Sequence, residues 1–213
     1  MIEAPRAARN PEGRAVGQHL VGEFRQVGLA DRNRPGLADA ELPDALKDDL
    51  RSLWRTSPLA MVVDASALDW LELGPTPDGA VRVITPHPGE AGRLLGLSAS
   101  AVQAGRLASL RTISKVFGGC WVVLKGNQTL VGRFTGEVFV NSSGNPHLAQ
   151  GGSGDVLAGY LAGLLAQSTL QADPLKTICL AVWEHGAAAD RLAEARNNWI
   201  VEDLAMEIGN RPR

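Results

Sequence analysis

The chain has 213 residues, of which 45% are hydrophobic and 21% are charged, and its formal net charge is −2 at pH 7. This length and composition are typical of one soluble domain with a substantial core. The near-neutral charge excludes a global positive field that would attract nucleic acid or an anionic membrane surface.

Apolar patterning predicts an alternation of strands and helices. Residues 1–33 are polar with weak periodicity, and we interpret them as a lead-in to one domain over residues 34–213. Helical periodicity and unbroken apolar runs then mark the elements. In chain order these are a helix over 43–54, strands over 59–64 and 81–85, helices from 88 and over 98–117, a strand over 120–125, a two-stranded excursion over 129–140, and helices over 155–168, 174–195 and 202–208.

This alternation favours right-handed crossovers and a mainly parallel α/β sheet with helices on both faces. In such sheets ligands collect at the carboxyl ends of the strands. Asp64, the segment Thr85 to His87, and Lys125 all follow predicted strands. The fold class therefore predicts that these separate segments meet at one edge of the sheet.

The remaining global signals concern compartment and metals. Residues 1–14 lack the apolar core of a signal peptide, and the longest apolar stretch, Val156 to Ala166, is too short to span a bilayer. Cys120 and Cys179 have neither metal-ligand nor Cys-x-x-Cys spacing, which predicts reduced thiols and no metal held by the protein alone. We expect a cytoplasmic protein with no membrane and no nucleic acid among its partners.

The strongest local signal is the glycine-rich segment Asn141 to Asp155, with the sequence NSSGNPHLAQGGSGD, which precedes an apolar helix. Glycine lets the backbone curl so that several N–H groups point into one hollow, and the helix N-terminus adds positive potential. The pattern predicts an anion hole for a nucleotide phosphate. Its residues would be Asn145, Gly151, Gly152 and Ser153.

Asp155 is an unsuitable residue for simple phosphate binding, because its carboxylate repels an anion. It suits a general base that takes a proton from a hydroxyl group attacking phosphorus. The alternative interpretation is that Asp155 only caps the following helix, which aspartate does well.

Two further segments carry weaker signals. Lys125 to Thr129 follows a buried strand, where the lysine could hold a phosphate; the alternative is a solvated turn. Thr85 to Glu90 contains two prolines that fix its backbone, so that His87 is presented in a defined direction; a structural turn is an equal alternative. Asp64 could face the same site or cap a turn. His185 and Asp190 are expected to pack or to face solvent.

Four segments together resemble one family, the ADP- or ATP-dependent NAD(P)H-hydrate dehydratases. They are Val63 to Leu68 (VDASAL), Ile84 to Glu90 (ITPHPGE), Val123 to Thr129 (VLKGNQT) and Asn145 to Gly159 (NPHLAQGGSGDVLAG). The resemblance extends from about Ala60 to the C-terminus, and the order and spacing of the four motifs make it specific. It implies a ribokinase-like fold with three α/β/α layers.

The resemblance also implies an activity. Enzymes of this family are lyases that repair hydrated NADH or NADPH: a phosphoryl donor, ADP or ATP with Mg2+, activates a hydroxyl group, which then leaves as phosphate. Carried over by position, Gly154 and residues Lys125, Gly126, Asn127, Gln128 and Thr129 would contact the adenine nucleotide. His87 and Asp155 would contact the hydrated cofactor, with Asp155 deprotonating its hydroxyl. The family also implies a homo-oligomer.

The chain departs from the family pattern at several positions. The family usually has Asp where Ser66 stands, Thr where Gln150 stands, and Thr or Met where Ser153 stands. Nothing before Arg34 matches the family, although Arg34 to Leu37 resembles a Gly-Pro-Gly-Leu segment that would make Gly36 a substrate contact. We expect an N-terminally truncated domain whose nucleotide half is intact and whose substrate half is incomplete.

Two alternatives stay open at this point. One is a ribokinase-like small-molecule kinase, which would share the chemistry at Asp155 and differ in its acceptor. The other is a non-catalytic nucleotide-binding remnant. The loop from Pro86 to Glu90 favours the dehydratase over the kinase.

Overall fold

The computed structural model describes residues 43–210. The predicted lead-in over residues 1–33 and the candidate substrate contact Gly36 lie outside the described residues, so both stay predictions. The described elements, in chain order, are α1 Asp44–Thr56, β1 Met61–Val63, a 3-10 helix Ala65–Trp70, β2 Arg82–Ile84, α2 Pro88–Leu95, α3 Ala99–Ala104, α4 Arg106–Val116, β3 Trp121–Leu124, β4 Leu130–Gly132, β5 Val138–Val140, a 3-10 helix Pro146–Leu148, α5 Ser153–Leu165, α6 Ser168–Gln171, α7 Pro174–Ala195 and α8 Val201–Glu207.

The described strands form one five-stranded sheet in the order β1-β2-β3-β4-β5. The first three strands are parallel, with Val62 opposite Val83 and Val83 opposite Trp121. The predicted two-stranded excursion, β4 and β5, extends the same sheet in antiparallel fashion. The five-residue connection between β3 and β4 is too short for a parallel crossover. The sheet is therefore mixed, with its parallel half carrying the predicted strand-end residues.

The core lies on both faces of the sheet, as unbroken apolar strands require. Consecutive residues of β3 point to opposite sides: Val122 joins the cluster packed against α1 and α4, whereas Val123 joins the cluster packed against α5 and α7. Both side chains are fully buried. Helices thus cover the two faces of the sheet, which gives the three-layer arrangement that the resemblance implied. No helix within residues 43–210 is both long and apolar enough to cross a membrane.

Two predicted boundaries need correction. The helix predicted over 98–117 is two helices, α3 and α4, separated by Gly105, whose φ of −129° and ψ of 47° are not helical. The helix predicted to open at Asp155 begins at Ser153, with Gly152 at its N-cap in the left-handed region. Glycine adopts that conformation without steric cost, so it can start the helix where a polar cap was expected.

Arg82 in β2 is a fully buried cation that terminates α1. Its guanidinium donates to the carbonyl oxygens of Trp54 (2.8 Å), Leu59 (2.7 Å) and Ser57, and lies 5.6 Å from the centroid of the Trp54 ring. The carboxyl end of a helix carries negative potential and unpaired carbonyl groups. The Arg82 guanidinium donates hydrogen bonds to these carbonyl groups and places a positive charge beside the negative end of the helix. It thereby joins α1 to the sheet.

Replacing Arg82 with Met is expected to lower the free energy of unfolding by about 3 kcal/mol or more, because several carbonyl groups lose a charged donor at once. Urea unfolding of the full chain measures this loss. Arg93→Met is the matched control, because Arg93 is half exposed and bonded to Asp69. We expect the control to cost about 1 kcal/mol or less. Equal losses in the two variants would contradict the assigned role of Arg82.

Candidate functional site

An ion pair joins two of the predicted strand-end residues beneath the start of α5. Asp64 follows β1 and Lys125 follows β3, and Lys125 Nζ lies 2.7 Å from Asp64 Oδ1. A Cβ atom on Gly154, the second residue of α5, would lie 3.2 Å from Lys125 Nζ and 3.4 Å from Asp64 Oδ2. The backbone of α5 therefore approaches the ion pair so closely that a side chain at position 154 would press on it.

The loop from Thr85 to Glu90 is fixed by a capping box in which histidine takes the place of Ser or Thr. His87 Nδ1 accepts from the main-chain N–H groups of Gly89 (2.9 Å) and Glu90 (3.4 Å). The Glu90 carboxylate accepts in return from the His87 main-chain N–H at 2.7 Å. Since Nδ1 is an acceptor, the ring proton is on Nε2, and the half-exposed ring has one defined direction. The loop is a structural turn that also fixes the orientation of the His87 ring.

Glu90 connects this loop to the ion pair. Its carboxylate lies 3.7 Å from Lys125 Nζ, so that the ammonium group stands between two carboxylates. The main-chain N–H of Lys125 also donates to the Pro86 carbonyl at 2.9 Å. The structure thus brings the three strand-end segments together, as the fold class predicted. Glu90 ends the motif ITPHPGE, but the sequence did not predict a role for it in the site.

Asp155 is the third residue of α5 and is not its N-cap, so the interpretation of Asp155 as a cap alone is wrong. Its carboxylate accepts no hydrogen bond from residues 43–210. The surrounding protein displaces water from one side of this exposed group and raises its pKa; the negative charge of Asp64 raises that pKa further, Lys125 opposes the rise, and Glu90 adds to it. A carboxyl group with a raised pKa in a polar cluster is a common feature of functional sites.

The glycine-rich segment is anchored to α7 at both ends. Asp190 accepts hydrogen bonds from the Gly144 main-chain N–H (2.8 Å) and from the Asn145 side chain (3.0 Å). At the other end, His185 Nε2 lies 2.9 Å from the Ser153 carbonyl oxygen. Burial lowers the pKa of His185 to about 4, so the ring is neutral and Nε2 is the donor. His185 is buried, as expected, and together with Asp190 it also holds the loop in place.

The main-chain N–H groups of the loop differ in whether they have an acceptor within the protein. Those of Gly144 and His147 are occupied by carboxylate or amide oxygens of Asp190 and Asn145. At the start of α5, the N–H groups of Gly151, Gly152, Gly154 and Asp155 have no acceptor among residues 43–210, whereas that of Ser153 donates to the Gln150 carbonyl at 3.4 Å. Unpaired N–H groups at a helix N-terminus form a ready anion-binding site. Of the predicted anion-hole residues, Asn145 and Ser153 use their side chains within the protein, the latter on the Leu148 carbonyl.

The chain matches a known protein family over most of its length. A family model described as NAD(P)H-hydrate dehydratase (Carb_kinase) matches residues 35–210. The chain belongs to the NAD(P)H-hydrate dehydratase family. This confirms the resemblance drawn from the four sequence motifs.

Two curated relatives of the family show how much of their length this chain spans. It is 44% identical over 140 residues to the ADP-dependent (S)-NAD(P)H-hydrate dehydratase of Neisseria meningitidis, covering 63% of this chain and 46% of that protein. It is 44% identical over 173 residues to the bifunctional NAD(P)H-hydrate repair enzyme Nnr of Vibrio cholerae, covering 81% of this chain and 33% of that protein. The chain therefore spans less than half the length of either relative.

Solved structures confirm the fold class. An ADP/ATP-dependent NAD(P)H-hydrate dehydratase of Bacillus subtilis, co-crystallised with ATP and Mg2+ and soaked with CoA, superimposes with a TM-score of 0.68 at 26% identity, covering 81% of this chain and 68% of that one. A ribokinase-like superfamily protein of Enterococcus faecalis gives a TM-score of 0.63 at 28% identity, covering 79% and 58%. The described domain is a ribokinase-like α/β fold of the NAD(P)H-hydrate dehydratase family.

Proposed function

We propose that this chain catalyses the ADP- or ATP-dependent dehydration of NAD(P)H hydrate, a lyase reaction that restores NADH or NADPH. The observation that carries the proposal is the position of Asp155 beside unpaired main-chain N–H groups, with the Lys125–Asp64 pair directly beneath Gly154. This arrangement offers an anion-binding surface and a proton acceptor side by side. The names of the family relatives support the choice of substrate.

The N-terminus of α5 supplies the phosphate-binding half of the proposed site. The N–H groups of Gly154 and Asp155 and the helix dipole suit a transferring phosphoryl group, whose charge they would stabilise. Lys125 adds a point charge. The turn from Gly126 to Thr129, whose first three residues are exposed, continues from Lys125 and would contact the rest of the nucleotide.

The charge of the cluster fits a nucleotide that enters with Mg2+. Three carboxylates and one ammonium group leave Asp64, Glu90, Lys125 and Asp155 negative as a set, which disfavours a bare polyphosphate. Within residues 43–210 no His, Cys, Asp and Glu side chains group as three or more potential metal ligands. Mg2+ needs only one or two carboxylates when phosphates and water complete its shell. The ion, when bound, would neutralise charge on the phosphoryl oxygens.

Asp155 carries the proton in the proposed reaction. Its carboxylate takes the hydroxyl proton of the hydrated nicotinamide ring as the hydroxyl oxygen attacks the terminal phosphorus atom of the nucleotide. The bond from phosphorus to the nucleotide oxygen breaks. The phosphorylated ring then loses phosphate from one carbon and a proton from the neighbouring carbon to water, which restores its double bond. His87, held in one direction by its capping box, would contact the hydrated ring.

The decisive experiment uses the full chain with hydrated NADH, Mg2+ and either ADP or ATP. Recovery of reduced-nicotinamide absorbance that requires the nucleotide would support the proposal. Consumption of ATP with an alcohol acceptor but no recovery would support the kinase alternative, and nucleotide binding without turnover would support the non-catalytic one. Light scattering of the same sample tests the prediction of a homo-oligomer, and cell fractionation tests that of a cytoplasmic protein.

Replacing Asp64 with Asn is expected to move the acidic limb of the kcat/KM profile to lower pH. Asp155 must be ionised to accept a proton, so activity is lost as the pH falls through its pKa. The Asp64 charge raises that pKa, and its removal also leaves Lys125 without its closest anion. Both changes lower the pKa of Asp155. The pH dependence of kcat/KM, which reports the free enzyme, measures the shift.

Asp69→Asn is the matched control for this prediction. Asp69 lies in the 3-10 helix that follows Asp64, and it pairs with Arg93 at the surface. We expect its profile to match that of the wild type. A shift of the Asp64→Asn limb to higher pH would contradict the assignment of Asp155 as the titrating base.

A further inference from the structure

Arg106, the first residue of α4, reaches from the helix to the turn between β3 and β4. One of its guanidinium nitrogens, Nη2, donates to the carbonyl oxygens of Leu124 (3.0 Å) and Gln128 (3.2 Å). The Leu124 carbonyl immediately precedes the turn from Lys125 to Thr129, and the Gln128 carbonyl lies near its end. The other terminal nitrogen, Nη1, donates to the Gln103 side chain at 2.8 Å. Within residues 43–210 no carboxylate pairs with Arg106, so main-chain carbonyls satisfy much of this partly buried cation.

The turn itself has a shape that few residues adopt. Gly126 has a φ of +131° and Gln128 a φ of +58°, both in the left-handed region that favours glycine. A Cβ atom at position 126 would lie only 2.7 Å from Arg106 Nη1. The guanidinium therefore packs directly against the Gly126 backbone while bonding the carbonyls of Leu124 before it and Gln128 after it. The shape of the turn depends on Gly126 and Arg106 together.

We propose that Arg106 is a positioning residue for nucleotide binding: it holds the turn from Lys125 to Thr129 in the conformation that the nucleotide requires. The proposal rests on the proposed function, in which this turn contacts the adenine nucleotide. Gln128 is a non-glycine residue in a left-handed conformation, and such backbone persists when surrounding contacts determine it. The bond from Arg106 to the Gln128 carbonyl is such a contact. Arg106 thus acts on the nucleotide through the turn.

The chain offers a matched control on the same helix. Arg111 of α4 donates from Nη1 to the Phe134 carbonyl and from Nη2 to the Gly136 carbonyl, both at 3.0 Å. These carbonyls belong to the turn between β4 and β5. Arg111 therefore holds a neighbouring turn by the same kind of bond, and its hydrogen bonds within residues 43–210 go to that turn.

The test is calorimetric titration of the full chain with ADP and with ATP, each in the presence of Mg2+. We expect Arg106→Gln to raise the nucleotide Kd about tenfold, the effect of losing roughly one charge-assisted hydrogen bond. Arg111→Gln should leave the Kd within about twofold of the wild type, although both variants lower the thermal unfolding temperature. At saturating nucleotide, kcat of Arg106→Gln should stay near the wild-type value, because Arg106 does not touch the reacting atoms.

A second variant separates geometry from charge. Arg106→Lys keeps the positive charge but lacks the planar fork that bonds two carbonyls at once, so its Kd should stay raised. Restoration of the wild-type Kd by lysine would overturn the proposal, as would equal weakening by Arg106→Gln and Arg111→Gln. A wild-type chain that binds neither nucleotide would overturn the proposed function as well, whereas unchanged binding by Arg106→Gln would remove only the role of Arg106.

Discussion

Asp155→Asn is expected to lower kcat for NAD(P)H-hydrate dehydration by about a thousandfold, within the range typical of losing a general base. The amide keeps the size of the carboxylate and leaves the N–H groups of Gly154 and Asp155 in place. The nucleotide Kd should therefore stay the same or fall slightly, because a negative charge beside the phosphates is removed. Single-turnover assays together with calorimetric titration of ADP and ATP measure the two effects separately.

The same substitution should leave the fold intact. The pKa of Asp155 is raised in the folded chain, so the protonated form is favoured there and ionisation opposes folding. As the pH rises through the folded pKa, this group loses its contribution to stability, and at neutral pH the ionised side chain is unfavourable. An uncharged amide removes that cost. Asp155→Asn should be at least as stable as the wild type at neutral pH in urea unfolding, as expected for a functional site.

Asp173→Asn provides the control for Asp155→Asn. Asp173 stands at the N-terminus of α7, where its carboxylate caps the helix by accepting from the Lys176 main-chain N–H. It is thus an acidic residue at another helix start, with a purely structural bond. We expect its kcat to match the wild type and its stability to fall slightly. A wild-type kcat in Asp155→Asn would show that another group takes the proton.

The sequence predicted the location of the site better than its internal contacts. Asp64, His87 and Lys125 could be placed at one edge of the sheet because each follows a buried strand, and parallel strands share that edge. The pairing of Lys125 with Asp64 spans 61 residues of sequence. No local periodicity encodes so distant a contact, which depends on β2 lying between β1 and β3 in the sheet.

The roles of His185 and Asp190 were missed for a related reason. Both lie on α7, whose alanine-rich segment from Gly186 to Ala189 separates them, and helical periodicity alone assigned them to packing or solvent. Their partners are main-chain and side-chain groups of a loop that has no periodicity of its own. The available signal in the sequence was a stretch of small residues with a polar side chain on either side of it. Gly186, in this stretch, allows Ser143 to approach the helix closely. Close approach of a loop to a helix favours small residues at the contact.

Two helix boundaries differ from the sequence prediction, because the local signals that were used did not decide where the helices begin and end. Asp155 was expected as a cap because aspartate is a good one, but the N-cap is Gly152, three residues earlier, in a left-handed conformation. That shift places Asp155 in the first turn, where its side chain is free for chemistry. The helix is interrupted at Gly105, between α3 and α4, but the apolar periodicity continues across this position. The periodicity therefore did not reveal the interruption. The break is also what places Arg106 at a helix start, facing the turn after β3.

Lys125→Met is expected to raise the nucleotide Kd by about tenfold to a hundredfold, since a charge-assisted contact is lost. A second effect acts in the same direction. Among residues 43–210, Lys125 is the cation paired with Asp64 and also lies near Glu90, so its removal leaves two carboxylates uncompensated next to the phosphates. The acidic limb of kcat/KM should move to higher pH, because Lys125 lowers the pKa of Asp155. This shift is opposite in sign to that of Asp64→Asn.

The double variant Asp64→Asn, Lys125→Met tests whether the charge of the pair is responsible. Removing both partners leaves fewer uncompensated charges than removing the lysine alone, so part of the lost nucleotide affinity should return. Lys176→Met is the control, because Lys176 is an exposed lysine paired with Asp173 at 2.9 Å, and its Kd should match the wild type. A wild-type Kd in Lys125→Met would mean that the phosphates do not lie at Lys125. The ion pair would then serve only to join β1 and β3 beneath α5.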